Sequence, residues 1–241
     1  MNRKEDGRLA GYRPGSLRKM FREVSDRYDL LNRILTFRLD LQWRMHAARS
    51  CLEDSPKAVL DLCCGTGNLL FAILKHSHDG ARILGVDFTE AMIEKAGSTA
   101  GKSKPLIIAD AGLLPLKDES FDCVATAFSF RNLLYKNPRL DSYLSEVVRI
   151  LRPGGKFLIL ETSQPEQEAL RRLYNGYLRL VVPFVGGLIS GSRGAYTYLS
   201  KSALDFPASD EITRILRGAG FRKVTFEPLF FGVVGIHTSK K

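Results

Sequence analysis

The residues with the clearest chemical promise sit in one turn, Cys63-Cys64-Gly65-Thr66-Gly67-Asn68, directly after the apolar run Ala58-Val59-Leu60-Asp61-Leu62. Glycines between a strand and a helix let the backbone approach a ligand closely, and the first helical turn offers free N–H donors. Gly-x-Gly turns occur in many folds, so Gly65, Thr66 and Gly67 point to a ligand without naming it. Asp87 ends the next apolar run, 20 residues after Gly67. A carboxylate there can accept hydrogen bonds from both hydroxyls of a ribose, or it can cap the following helix, where Thr89 competes for the same task. Asp110, followed by Ala111, ends a third run. It can accept from an adenine amino group, or stand as a solvated loop residue.

These residues need a scaffold that brings strand ends together. Residues 16–52 read as helical, with Phe21, Val24, Tyr28, Leu31, Ile34 and Leu35 on one face. A β-then-α alternation follows: strands at 58–62, 82–87, 105–110, 121–128 and 156–161, and helices at 68–75, 89–96 and 138–151. Arg152-Pro153-Gly154-Gly155 breaks the last helix from the fifth strand. Repeated units of this kind predict an α/β fold, a parallel sheet covered by helices on both faces. Residues 165–205 are helical, Gly-rich and aromatic, and read as an insertion or lid. A helix at 210–219 precedes two strands, 221–226 and 231–237, that predict an antiparallel hairpin at the sheet edge. The chain thus divides into an N-terminal arm and helices (1–52, with 1–15 a loose arm) and a main domain (53–241) carrying the lid.

A dinucleotide fingerprint would need a third glycine at position 70, where Leu70 stands. That favours S-adenosylmethionine over NAD as the nucleoside. Five segments then carry a resemblance that extends from about residue 20 to the end. They are Tyr28-Asp29-Leu30-Leu31-Asn32, Asp61 through Gly67, Phe130-Arg131-Asn132, Ala195-Tyr196-Thr197-Tyr198-Leu199, and Gly232-Val233-Val234-Gly235-Ile236-His237. The glycine turn is generic to methyltransferases; the Arg-Asn, Tyr-x-Tyr-Leu and terminal segments are far more specific. Together they resemble the ubiquinone/menaquinone C-methyltransferase family. The resemblance implies a class I S-adenosylmethionine-dependent methyltransferase, Rossmann-like, with a mostly parallel seven-stranded sheet. It implies cofactor contacts at Thr66, Asp87, Asp110 and Ala111, beside Gly65 and Gly67. Ala127 departs from the family's serine in strand four, and Ser129 stands where the family shows glycine.

The resemblance also implies a reaction: methyl transfer to a ring carbon of a demethylated prenyl quinol, demethylmenaquinol first, with another quinone precursor or redox lipid as the alternative. Aromatic carbon becomes nucleophilic when a neighbouring hydroxyl loses its proton, so the site must hold the ring and stabilise a phenolate. Arg131 is the candidate for that oxyanion, since a guanidinium stays charged and its planar fork suits an oxygen anion. A structural ion pair is the competing reading. Asn132 can donate to the same oxygen or hold the loop, and Tyr28 can close over the cofactor, contact the ring or pack as a core aromatic. Asp29 or a bound water is a candidate base. The lid sequence from Tyr174 to Ile189 holds a dense apolar set that suits either a groove for a prenyl tail or burial in the fold or a homodimer interface.

Composition limits the partners. The chain has 241 residues, 44% hydrophobic, with a formal charge of +10. That surplus favours an anionic partner: nucleic acid, an anionic membrane face or an acidic substrate. With an apolar lid and no separate basic–aromatic module, RNA is the rival target rather than the expected one. A cofactor-binding subunit without turnover is the other rival. Four cysteines, two of them adjacent, suit neither a disulfide framework nor a zinc site, and no metal is expected. The expectation is a cytoplasmic protein that at most touches the inner face of the membrane, since no apolar stretch is long enough to span it.

Overall fold

The computed structural model describes residues 14–100 and 105–241, with the side chains of 14–16, 26, 99, 100 and 193 outside that description. The expected arm of residues 1–15 falls almost wholly outside it. Among the described residues two helices come first, α1 (Pro14–Leu35) and α2 (Leu39–Leu52). The sequence predicts helices over 16–52 without marking where they break; Phe37 and Arg38 take left-handed backbone angles (φ 53 and 64) and turn the chain between the two.

The alternation then follows as expected: β1 (Ala58–Leu62), α3 (Asn68–His76), β2 (Arg82–Asp87), α4 (Glu90–Ala100), β3 (Leu106–Ile108) and β4 (Phe121–Ala127). A short helix, α5 (Phe130–Leu134), was not legible in the sequence and leads to α6 (Leu140–Ile150). The strand β5 (Leu151–Thr162) begins at once, five residues earlier than the sequence predicts. Leu151 pairs with Phe121 and pairing resumes at Lys156 with Cys123, so Arg152–Gly155 bulges out rather than ending the strand. The bulge is held by the C-terminus: Lys241 donates its backbone N–H to Gly155 and accepts from Gly154.

The stretch expected to form an insertion or lid folds as two helices, α7 (Glu168–Ser190) and α8 (Arg193–Leu204), followed by α9 (Ser209–Gly218). Gly186 of α7 lies so close to Tyr196 of α8 that an added Cβ would sit 2.1 Å from the ring, so only glycine allows this packing. The chain ends in the hairpin β6 (Lys223–Leu229) and β7 (Val234–Lys240), joined by a 3-10 turn at Phe230–Gly232. β6 starts two residues later than the sequence predicts and β7 three, the latter because Phe230 and Phe231 bend into the turn instead of extending β7.

Among the described residues seven strands form one sheet in the order β3-β2-β1-β4-β5-β7-β6. The first five run parallel, and β7 is antiparallel to both neighbours. Alternation along the strands divides the core. Leu60, Leu62, Val86 and Val124 face α6 and α9, while Val59, Ile83, Cys123 and Ala125 face α2 and α3. A third cluster joins α1, α7 and α8 through Val24, Leu31, Leu178, Val182 and Tyr196. The order of the sheet reverses between β1 and β4, and that reversal opens a crevice at the carboxyl ends of those strands.

Candidate active site

Two cavities meet over that crevice. The first, of about 840 Å3, is lined by Gly65, Asp87, Asp110, Ala111, Ser129, Asn132 and Arg139, with Phe21 and Tyr28 of α1 across it. The second, of about 1420 Å3, is mostly apolar and runs between α1, α2, α7 and the β6–β7 turn. Tyr28 and Phe128 line both. The consecutive residues Arg131 and Asn132 divide between them, Arg131 on the second cavity and Asn132 on the first.

Gly65 and Gly67 have positive φ (54 and 85). A Cβ at Gly67 would meet the Phe71 ring at 2.7 Å, whereas one at Gly65 would meet nothing within 4 Å, which leaves room for a ligand there. Thr66 and Gly67 do not line the cleft. The Thr66 hydroxyl donates to Asp29 Oδ1 at 2.8 Å, and Asn68 Nδ2 donates to the same oxygen at 2.7 Å. Asp29, a candidate base in the sequence, thus pins α1 to the glycine turn and lines neither cavity. Lys95 adds a second tie, donating to the Ser25 carbonyl at 2.6 Å.

Asp87 is buried at the end of β2. One oxygen accepts the Gly65 N–H at 2.9 Å and the other the Thr89 N–H at 2.8 Å, so it shapes the turn and caps α4 as well. Burial pushes this carboxyl above its ordinary value, against the pull of those backbone donors. Asp110 accepts from Gly112 N–H and from both Nη atoms of Arg139, at 2.8 and 3.2 Å. Burial raises its carboxyl, but the Arg139 hydrogen bonds outweigh that and hold it below the usual range. Arg139 carried no signal in the sequence as its partner.

Arg131 is 5% exposed and ion-paired. Its Nη1 donates to Glu161 Oε1 at 2.9 Å and to the Phe128 carbonyl at 3.0 Å. Its Nε is buried without a partner. Burial opposes its charge, yet Glu161 outweighs this and raises the guanidinium further. The ion pair and the cavity wall therefore coexist in one residue. Asn132 Oδ1 is likewise buried and unpaired beside the first cleft. Ser129 Oγ bonds the Cys63 and Ala127 carbonyls at the lip of the same cleft. The histidines stand apart: His46 pairs with Glu227 on the surface, and His237 packs on Phe226 within the sheet, where burial lowers it to about 4.

A cleft with Gly65 at its floor, two carboxyls at the ends of strands and an orphan amide oxygen fits S-adenosylmethionine. Residues 10–241 match the ubiE/COQ5 methyltransferase family. The chain belongs to that family. It is 42% identical to a demethylmenaquinone methyltransferase of Thermus thermophilus, over 92% of this chain and all of that protein. It is 36% identical to a ubiquinone/menaquinone biosynthesis C-methyltransferase UbiE of Geobacter sulfurreducens, over 93% of this chain and 88% of that one. Among solved structures, a SAM-dependent methyltransferase of Thermotoga maritima superposes with a TM-score of 0.61 at 18% identity, over 92% of this chain and 99% of the other. The fold is therefore that of class I methyltransferases, as the family resemblance implies, and family and fold together imply S-adenosylmethionine as cofactor.

Proposed function

We propose that this enzyme methylates a ring carbon of demethylmenaquinol, completing a prenyl quinol. The observation that carries the reading is the shared wall. A polar cleft for a nucleoside and an apolar cavity of about 1420 Å3 touch at Tyr28 and Phe128, where a ring and a methyl donor can meet while the prenyl tail lies along α7. S-adenosylmethionine, when bound, supplies a methyl group on a positively charged sulfur.

The chain's own residues hold and orient. Gly65, Asp87, Asp110 and Ala111 line the nucleoside side, with Thr66 and Gly67 setting the turn. Arg131, on the wall of the apolar cavity, meets the phenolate oxygen through its guanidinium, whose Nε has no hydrogen-bond partner among the described residues. It stays charged, so it stabilises the anion and does not take the proton. Asn132 orients the reacting edge from the cofactor side, and Tyr28 closes the junction from α1. Burial of the walls keeps bulk water from the anion and strengthens its pairing with Arg131.

The tail side also suits a bilayer, our proposed partner for the cavity mouth. Phe37, Leu173 and Phe230 line the cavity and are themselves exposed. All but two of the exposed large apolar side chains among the described residues lie on α1 or its end, α7 and the β6–β7 turn. Between Ala169 and Leu204 the sequence carries five cations and no acid, which complements an anionic lipid surface. No described helix is long and apolar enough to cross a membrane. A homodimer through the same face is the competing use.

The deciding experiment offers labelled S-adenosylmethionine with reduced demethylmenaquinol, a ubiquinone precursor or bulk RNA. Label in the first lane is the expected result. Label in RNA alone would overturn the substrate class, and cofactor binding without label in any lane would favour a subunit without turnover.

A further inference from the structure

The apolar cavity contains a second arginine that the reaction has not yet used. Arg44 of α2 is 7% exposed and lines the cavity together with Arg131. It donates no hydrogen bond to any described residue, and its Nε is buried without a partner. The nearest carboxylate oxygen, Asp40 Oδ2, stands 3.8 Å from that nitrogen, too far for a hydrogen bond. Asp40 Oδ1 is already bonded to the Thr36 hydroxyl at 3.0 Å. A guanidinium carries five donors, and a buried one without an acceptor is costly to keep. A purely structural ion pair would close that gap. An open one at a cavity wall has the form of a site awaiting an oxygen.

Phe128 relates the two arginines. Arg131 holds the Phe128 carbonyl through Nη1, and the Arg44 guanidinium lies 4.9 Å from the centre of the Phe128 ring. Both cations therefore flank one residue at the junction of the cavities. A quinol ring carries two oxygens on opposite sides, and each needs a partner once water is excluded.

We propose that Arg44 binds the second ring oxygen of the quinol, the one opposite the hydroxyl at Arg131, so that the ring is held at both ends across Phe128. This rests on the quinol reading above and deepens it. Arg44 makes the enzyme selective for rings with two opposed oxygens, because a ring with one leaves the guanidinium without a hydrogen-bond acceptor, with only Asp40 at 3.8 Å and the Phe128 ring against it. It also fixes which ring edge faces the cofactor cleft.

The test compares demethylmenaquinol with a prenylated naphthol that keeps only the hydroxyl beside the reacting carbon. The full-length enzyme and Arg44→Met are assayed on both, with cofactor affinity measured by calorimetry. The wild type is expected to favour the quinol in kcat/KM by about ten- to a hundredfold. In Arg44→Met that ratio is expected to fall close to one. A purely structural role would lower both substrates together and leave the ratio unchanged, and that result overturns the proposal. Arg44→Lys keeps the charge near Asp40 but loses the fork, and is expected to retain part of the preference. Should the methionine variant fail to fold, full preference in Arg44→Lys overturns the proposal. A wild type that methylates neither ring would instead overturn the quinol reading itself.

Discussion

Glu161 grips Arg131 at two points: Oε1 accepts the Nη1 donor at 2.9 Å and Oε2 accepts the backbone N–H of the same residue at 3.1 Å. The carboxylate also takes the backbone N–H and hydroxyl of Thr162. The end of β5 thereby sets both the start of α5 and the direction of its arginine. Glu161 is a positioning residue with no place on either cavity wall.

Replacing it separates holding from binding. Glu161→Gln keeps the shape but cannot accept from all four donors, at a cost of about 1–3 kcal/mol in stability. Glu161→Ala leaves a buried guanidinium uncompensated, at about 3–5 kcal/mol. For the glutamine variant, turnover is expected to fall about tenfold or more by loss of Arg131 alignment, with cofactor affinity unchanged. Steady-state kinetics and calorimetry check this together. A parallel loss of cofactor affinity would mean that the whole site had loosened instead.

Asp87→Ala tests the nucleoside side. The substitution removes the proposed acceptor for ribose hydroxyls and also the contacts to Gly65 and Thr89. Calorimetric heat from S-adenosylmethionine is expected to vanish, while loss of the helix cap costs only about 1 kcal/mol. Wild-type affinity in a folded variant would remove Asp87 from the cofactor site.

Much of this geometry could be read from the residues alone, and the exceptions share a cause. β1 and β2 are buried on both faces, so continuous apolar runs marked them, and acids at strand ends marked Asp87 and Asp110. The break at Phe37 and Arg38 was invisible because neither residue is the glycine or proline that normally signals one. Phe230 and Phe231 read as strand residues and form a turn. The apolar lid residues split by helical face: Tyr174, Tyr177, Leu178 and Val182 line the cavity, while Leu180, Phe184 and Leu188 point outward. Arg193 of the same lid has its side chain outside the described residues. Glu161, Arg139 and Arg44 were missed because their roles depend on partners far along the chain, and no local spacing encodes them.

Asp61 offers a pH test of the core. It lies in the middle of the sheet with Oδ2 unpaired, and burial lifts its carboxyl from 3.8 to about 7, opposed in part by Arg44. The native state therefore holds a proton that the unfolded chain releases near its ordinary value. This contribution to stability is full below about pH 4, declines as the pH rises and is gone above about pH 7, with a total on the order of 4 kcal/mol. Denaturant unfolding of the wild type and Asp61→Asn across that window is the measurement. The wild type is expected to lose stability relative to the variant as the pH rises. A difference independent of pH would mean that Asp61 is charged in the fold throughout.

The exposed apolar rim can be tested apart from catalysis. Phe37 is 80% exposed and Phe231 79%, with Leu173 at 72%, values that water disfavours for side chains gathered near one cavity mouth. Each is expected to contribute to partition into a bilayer in proportion to its buried area, on the order of 1–3 kcal/mol when fully inserted. The wild type should therefore sediment with vesicles of mixed anionic and zwitterionic lipid, more strongly at low salt, because the α7 cations add an electrostatic share that salt screens. A triple substitution of Phe37, Leu173 and Phe231 to Ser should reduce sedimentation at least tenfold. Calorimetric affinity for S-adenosylmethionine is the control for folding, since none of the three residues lines the polar cleft. If the wild type stays in the supernatant and light scattering reports a dimer that the triple variant loses, the rim is the interface of two copies and the tail enters by another route.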